Sequence, residues 1–273
     1  MTQGQGRHTA MKIAVLEAAF KQNVSVVANG IKASDYFHFD MNAGCGWNAK
    51  ANCYGSPIAF RSAACSAGFP NALCFCCEVD ASAAKTLANK TSKDKHTYVI
   101  YGRNQQFSQM IPQIISRFGV NPSNAFGSIL IDPNDQRRDA IPYQELRMVT
   151  SLCPRLDVFF HFPQLAMKRI NGGVAKGTLK PEHALDCFHV DEMPEVIGKK
   201  HLWIKQTPDM GNFALIVGRN TPNINADRKT GLAEWSSDLG VYYRERCVMP
   251  VAVADARNRE RLARKSGQKL LFT

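Results

Sequence analysis

Short, wholly apolar runs alternate along this chain with stretches in which apolar residues return at helical spacing. Over residues 9–27 the spacing predicts an amphipathic helix, with Met11, Ile13, Ala14, Leu16, Phe20 and Val24 along its apolar stripe. Apolar runs at 36–41, 73–79, 97–101, 128–132 and 156–162 predict strands. Helical patterns at 58–66, 81–90, 105–118 and 143–153 fall between them. The punctuation agrees: Ser56-Pro57 suits the first turn of a helix, and Phe69-Pro70-Asn71 and Asn121-Pro122 break the pattern. Strand and helix in strict alternation predict a parallel sheet covered by helices on both faces. Two later runs, 201–206 and 212–218, are separated by Thr207-Pro208-Asp209-Met210-Gly211, a link too short for a parallel crossover. The expected fold is therefore α/β, a mostly parallel sheet ending in an antiparallel hairpin. We divide it into an N-terminal helical segment (1–30) that packs on a core (31–220), followed by a basic extension (221–273).

Charge sharpens this picture. The chain carries 34 Lys and Arg against 23 Asp and Glu, a formal net charge of +11. Such an excess concentrates polyanions near the surface and speeds their encounter, which points to nucleic acid rather than to a small neutral metabolite. Nine cysteines in a chain of this length read as reduced, buried thiols. Cys74 and Cys77 are spaced C-x-x-C, but within a strand they face opposite ways, so no metal site is expected. The first residues lack a signal peptide's apolar core, and no apolar run is long enough to span a bilayer. A cytoplasmic protein without membrane contact is the expectation.

The candidate chemistry sits at strand ends. The first strand closes on Asp40-Met41-Asn42-Ala43-Gly44-Cys45-Gly46, an acid followed by a Gly-x-Gly turn that lets main chain approach a ligand. The second closes on Glu78, and the fourth on Asp132-Pro133-Asn134-Asp135. Together with the terminal hairpin, these residues resemble the class I S-adenosylmethionine-dependent methyltransferases over roughly residues 9 to 219. Gly55-Ser56-Pro57 after the glycine turn is similar to the three-Cys-motif partner group, and Asp132-Pro133 resembles the catalytic tetrad of amino-methyltransferases.

That resemblance implies a Rossmann-like fold and S-adenosylmethionine as cofactor. It implies cofactor contacts from Asp40, Asn42, Gly44, Gly46, Glu78 and Asn104, with Glu78 accepting the ribose hydroxyls. It implies catalysis at Asp132, Pro133, Asn134 and Asp135, where the Asp carboxylate and Pro carbonyl would accept hydrogen bonds from a substrate amine. Asp135 departs from the family's aromatic, so base stacking would fall to Tyr143, Phe160, Phe162 or Trp203, and His161 could contact substrate. Phosphate contacts are expected from Arg137 and Arg138, from a glycine-rich loop after the fifth strand bearing Lys168, Arg169, Lys176 and Lys180, and from Arg257, Arg261 and Arg264 in the basic tail. Without a visible base-reading domain, contacts would be mainly to phosphate and selectivity low. The resulting expectation is methylation of adenine N6 in DNA, as in small phage-type enzymes. RNA or cytosine N4 methylation, and a catalytically silent nucleic-acid-binding partner, are the alternatives.

Overall fold

The computed structural model describes residues 9–133, 141–180, 182, 188–206, 213–221 and 230–266. In chain order the strands are β1 (Phe37–Asp40), β2 (Trp47–Asn48), β3 (Cys53–Tyr54), β4 (Leu73–Glu78), β5 (Thr97–Tyr101), β6 (Gly127–Ile131), β7 (Leu156–Phe162), β8 (His201–Lys205), β9 (Ala214–Arg219) and β10 (Ala233–Glu234). The α-helices are α1 (Thr9–Ser25), α2 (Ser56–Ser66), α3 (Ala81–Thr91), α4 (Asn104–Arg117), α5 (Tyr143–Leu152), α6 (Gln164–Ala175), α7 (Met193–Ile197), α8 (Asp238–Val248) and α9 (Val251–Ser266).

Eight strands form one sheet in the order β10-β8-β9-β7-β6-β1-β4-β5. The block β5-β4-β1-β6-β7 is parallel throughout, whereas β9 runs antiparallel to both β7 and β8. The expected hairpin is thus present, with His201 opposite Arg219 and Lys205 opposite Leu215; its link, 207–212, lies outside the described residues. β10 pairs with β8 and closes that edge. This arrangement is the Rossmann-like fold of class I methyltransferases. Its chain order reverses between β1 and β6, and the crevice beyond their C-terminal ends is where open α/β sheets bind ligands. None of the described helices is long and apolar enough to cross a membrane.

Period-two alternation divides the core. Phe37, Phe39, Cys77, Ile129 and Phe160 face a cluster that includes Phe107 and Ile111 of α4 and Leu146 of α5. Tyr36, Cys74, Cys76, Leu130 and Phe159 face the other way, toward Leu16 and Phe20 of α1, Phe60 of α2 and Leu87 of α3. Cys74 and Cys77 accordingly lie on opposite faces. Cys65, by contrast, is exposed, and Cys45 and Cys53 are half-buried, because they sit at a helix end, in a loop and in the short β3 rather than in the main sheet.

The buried stripe of α1 is Leu16, Phe20 and Val24 with Ala19 and Asn23, and Met11 stays 42% exposed. Burial of these three apolar side chains contributes about 2 kcal/mol each. Packing therefore anchors the helix. Lys12, one turn before Leu16 on the same face, is carried to wherever that packing places it.

Candidate active site

At the end of β1, Asp40 is fully buried. It accepts hydrogen bonds from Ser56 Oγ (2.6 Å) and from the backbone N–H of Asn42 (3.1 Å). Burial pushes its carboxyl up to about 7, against the pull of these two donors. Asp40 thus orders the loop that follows.

Gly44 and Gly46 both take left-handed backbone conformations, with φ of 62° and 73°. A Cβ on Gly46 would lie 2.7 Å from Leu87 Cδ1, whereas a Cβ on Gly44 would meet nothing within 4 Å. Space is open above Gly44. The loop is fixed from three sides. Ala43 N–H donates to Cys77 O (3.1 Å), Gly55 N–H donates to Gly46 O (3.0 Å), and Gly44 N–H donates to Glu78 Oε2 (2.8 Å). Glu78 Oε1 accepts from the N–H of Asp80 (2.8 Å). Each carboxylate oxygen of Glu78 keeps further lone pairs for a diol. Asn104 opens α4 just after β5, half-buried, with its carbonyl accepting from Ser108 Oγ (2.7 Å).

Across the crevice, Asp132 follows β6. Its backbone N–H donates to Asn42 Oδ1 (3.2 Å), and Met41 N–H donates to Leu130 O (3.0 Å), so the two strand ends are stitched together. Lys12 Nζ bonds both carboxylate oxygens of Asp132, and His161 Nδ1 lies 3.3 Å from Oδ1. Burial would raise this carboxyl. Lys12 and His161 outweigh it and hold the group well below the ordinary carboxylate range. His161, 2% exposed, is itself pushed down by burial and by Lys12, against the pull of Asp132. Pro133 is buried beside them.

Asp40, Asn42, Gly44, Gly46, Glu78, Asp132 and Pro133 therefore gather at one crevice, with Asn104 on the β5 side. Lys12 was hidden inside a predicted amphipathic helix. The signal for it was a lysine on the i, i+4 row that continues as Leu16, Phe20 and Val24. Asn134, Asp135, Arg137 and Arg138 lie outside the described residues.

Three of the four aromatic candidates, those in strands, are core residues. Phe160, Phe162 and Trp203 are buried in the core, and Tyr143 packs edge-on to Phe188. Strand positions whose side chains meet a helix layer cannot also present a face to a base. The predicted glycine-rich loop is largely the helix α6. Gly173 sits where the returning chain crosses it, since a Cβ there would lie 2.6 Å from Leu179 Cδ1, and Gly173 O accepts from the N–H groups of Thr178 (2.9 Å) and Leu179 (3.1 Å). Lys168 on that helix is half-buried, and burial lowers its pKa; Arg169, Lys176 and Lys180 are exposed. On α9, Arg257 and Arg264 are exposed. Arg261 is committed to Glu245 (2.7 Å) and to Asn258 Oδ1 (3.1 Å).

Among the described residues, Glu78 and Asp132 bring two carboxylates to the crevice against one ammonium, Lys12, with Asp40 buried beneath the loop. That balance, with the open approach at Gly44, fits a ligand bearing a cationic centre and a diol, as S-adenosylmethionine does.

No protein-family model matches the chain, and neither does the sequence of any curated protein. Solved structures of similar shape include a Thermobifida fusca protein provisionally named a methyltransferase (14% identity, TM-score 0.47, 77% of this chain and 82% of that one). Others are a DUF574-family protein from Streptomyces avermitilis (10%, 0.46, 76% and 83%) and an S-adenosylmethionine-dependent methyltransferase from Anabaena variabilis (12%, 0.36, 72% and 82%). At these values the fold assignment rests on the strand order and strand directions given above.

Proposed function

We propose that this protein is an S-adenosylmethionine-dependent methyltransferase that modifies the N6 amine of adenine in DNA with low sequence selectivity, in the manner of small phage-type enzymes related to the three-Cys-motif partner group. The observation that carries the reading is Asp132-Pro133 at the end of β6, facing the Gly44 loop across the crevice. S-adenosylmethionine, when bound, supplies a methyl group already activated on a sulfonium. Glu78 would accept the ribose hydroxyls, Gly44 and Gly46 would let main chain pass close to the ligand, and Asp40 would hold the loop in shape through Asn42 and Ser56.

What remains for the protein is to orient the nucleophile. An exocyclic amine has its lone pair delocalised into the ring, and two acceptors on its N–H groups turn that lone pair toward the methyl carbon. Asp132, held ionised by Lys12, is an acceptor only, and the Pro133 carbonyl is a second. A target base must leave its stack to reach them. Exposed Arg169, Lys176, Lys180, Arg257 and Arg264 would contact phosphate.

The Lys12–Asp132 pair favours one second reading. An amine can give up its proton to water after the methyl has transferred, whereas a hydroxyl must lose its proton as the transfer occurs, and a lysine bonded to a carboxylate beside it could guide that proton. RNA ribose would then be the substrate. Mass spectrometry of nucleosides from a methylation-deficient host expressing the protein, beside Asp132→Ala, separates the two. N6-methyladenine in DNA, lost in the variant, is the expected result. A ribose-methylated nucleoside from RNA would replace it with the second reading, and N4-methylcytosine would move the amine chemistry to another base. No new nucleoside in either pool would sink both readings and favour a silent binding protein.

A further inference from the structure

A second cavity lies at the opposite edge of the sheet, where β6 and β7 begin and β9 ends. Its volume is about 430 Å³, within the range that small-molecule sites occupy. One wall is apolar, from Val26, Val27, Ile31 and Phe126; the other carries Arg155 and Arg219. α1 contributes to the first wall through the π-helical turn Val26–Ile31 that continues it, a distortion often found at functional positions.

The charged wall is built rather than incidental. Arg219 is 4% exposed and pairs with Asp157 (2.8 Å), which also accepts from Asn23 Nδ2. Asn23 Oδ1 in turn accepts from Tyr36 Oη, which also contacts Ser128 Oγ (3.0 Å). The rim is fixed as well: Asn220 Nδ2 and Lys199 Nζ both donate to Pro154 O, at 3.0 and 3.1 Å. Arg155 differs from these. It is exposed, stands over the Phe126 ring at 5.0 Å, and has no carboxylate partner among the described residues. Among the described lining residues two guanidinium groups stand beside one carboxylate, and the other wall offers only hydrocarbon.

We infer that this cavity binds a small organic anion, a phosphate or carboxylate carried on an apolar or aromatic body. The head group would meet Arg155 at the rim, with Arg219 behind it. The body would lie along Val26, Val27 and Ile31. Because the polar network beneath is already ordered, the site would need little rearrangement on binding. This site is separate from the crevice at Asp40 and Asp132, and its existence does not depend on the reaction proposed there.

The test is a titration of the full chain, ¹⁵N-labelled, with phenyl phosphate followed by amide chemical shifts; inorganic phosphate and benzyl alcohol serve as head-only and body-only probes. Saturable shifts confined to residues 22–31, 126–127, 154–157 and 219–221 are expected, with each partial probe binding at least about tenfold more weakly. Arg155→Ala should weaken phenyl phosphate roughly tenfold, as loss of one charge-assisted contact does. Ile31→Glu, which puts a negative charge at the mouth without touching the network, should do the same. The inference is overturned if no saturable shift appears in those segments, if both variants bind as the parent does, or if inorganic phosphate binds as tightly as phenyl phosphate.

Discussion

Lys12 and Asp132, 120 residues apart in sequence, form a two-pronged ion pair in which one ammonium bonds both oxygens of one carboxylate. Both side chains are about three-quarters shielded, at 21% and 25% exposure. Lys12→Ala would leave a shielded carboxylate with only His161 beside it, at a cost of about 2 kcal/mol, less than for a fully buried pair. The sign with pH is fixed. A carboxyl held low in the folded state contributes stability above its unfolded pKa of about 3.9 and loses it as pH falls through the folded value. Lys12→Ala should therefore lower stability most above about pH 4 and flatten the acid limb of urea-denaturation stability. An unchanged limb would mean that His161 alone holds the carboxylate.

Asp40 has the opposite sign. Its carboxyl is raised to about 7 by burial, so its contribution is greatest below the unfolded value and is lost as pH rises through 7. That span of about 3 units corresponds to roughly 4 kcal/mol at most. Asp40→Asn keeps the shape and removes the titration. Urea denaturation between pH 5 and 8 should show stability falling for the parent and a flatter profile for the variant; parallel profiles would assign the slope to other groups.

Glu78 holds the glycine loop through Gly44 N–H and is proposed to hold the ribose. Glu78→Ala should abolish the thermal shift given by S-adenosylmethionine, whereas Asp132→Ala should preserve the shift and abolish transfer. A shift retained in Glu78→Ala would mean that the cofactor contacts were misassigned.

Gly46 combines a positive φ with a close approach to Leu87. Gly46→Ala should lower stability by about 2 kcal/mol, from backbone strain and displacement of Leu87. Thermal unfolding checks this, and an unchanged midpoint would show that the loop relaxes freely.

Much of the fold was legible because β1, β4, β6 and β7 are buried on both faces, and such strands read as continuous apolar runs closed by a polar residue. The three carboxylates of the site were legible for the same reason, as they end those runs. The partners of Asp132 were not. Lys12 belongs to a helix whose pattern gives its periodicity but not its rotation, and Met11 and Ala14 pulled the inferred stripe away from it. The hairpin β2–β3, two residues per strand, is too short for any period to register. Cationic side chains on a helix look alike in sequence, so Arg261, bonded to Glu245, could not be told from exposed Arg257.

That distinction gives a prediction about the basic helix. Arg257→Ala and Arg264→Ala should each reduce the salt slope of DNA binding by about one, since each would release roughly one counterion contact. Arg261→Ala should instead lower thermal stability through Glu245 and leave the slope unchanged. Filter binding across a salt series measures the slopes, and parental slopes for Arg257→Ala and Arg264→Ala would remove α9 from the proposed interface.

Two of the polar attachments of α1 carry a consequence for the order of assembly. Lys12 reaches Asp132, and Asn23 reaches Asp157, 134 residues ahead of it in the chain. During synthesis, α1 therefore emerges long before either partner exists; Phe60 of α2 can cover part of its apolar face early, but Lys12 and Asn23 must wait for β6 and β7 to be made. Contacts of such long range are slow to form. A nascent chain halted before residue 132 should therefore protect α1 from protease less than one released well beyond residue 157.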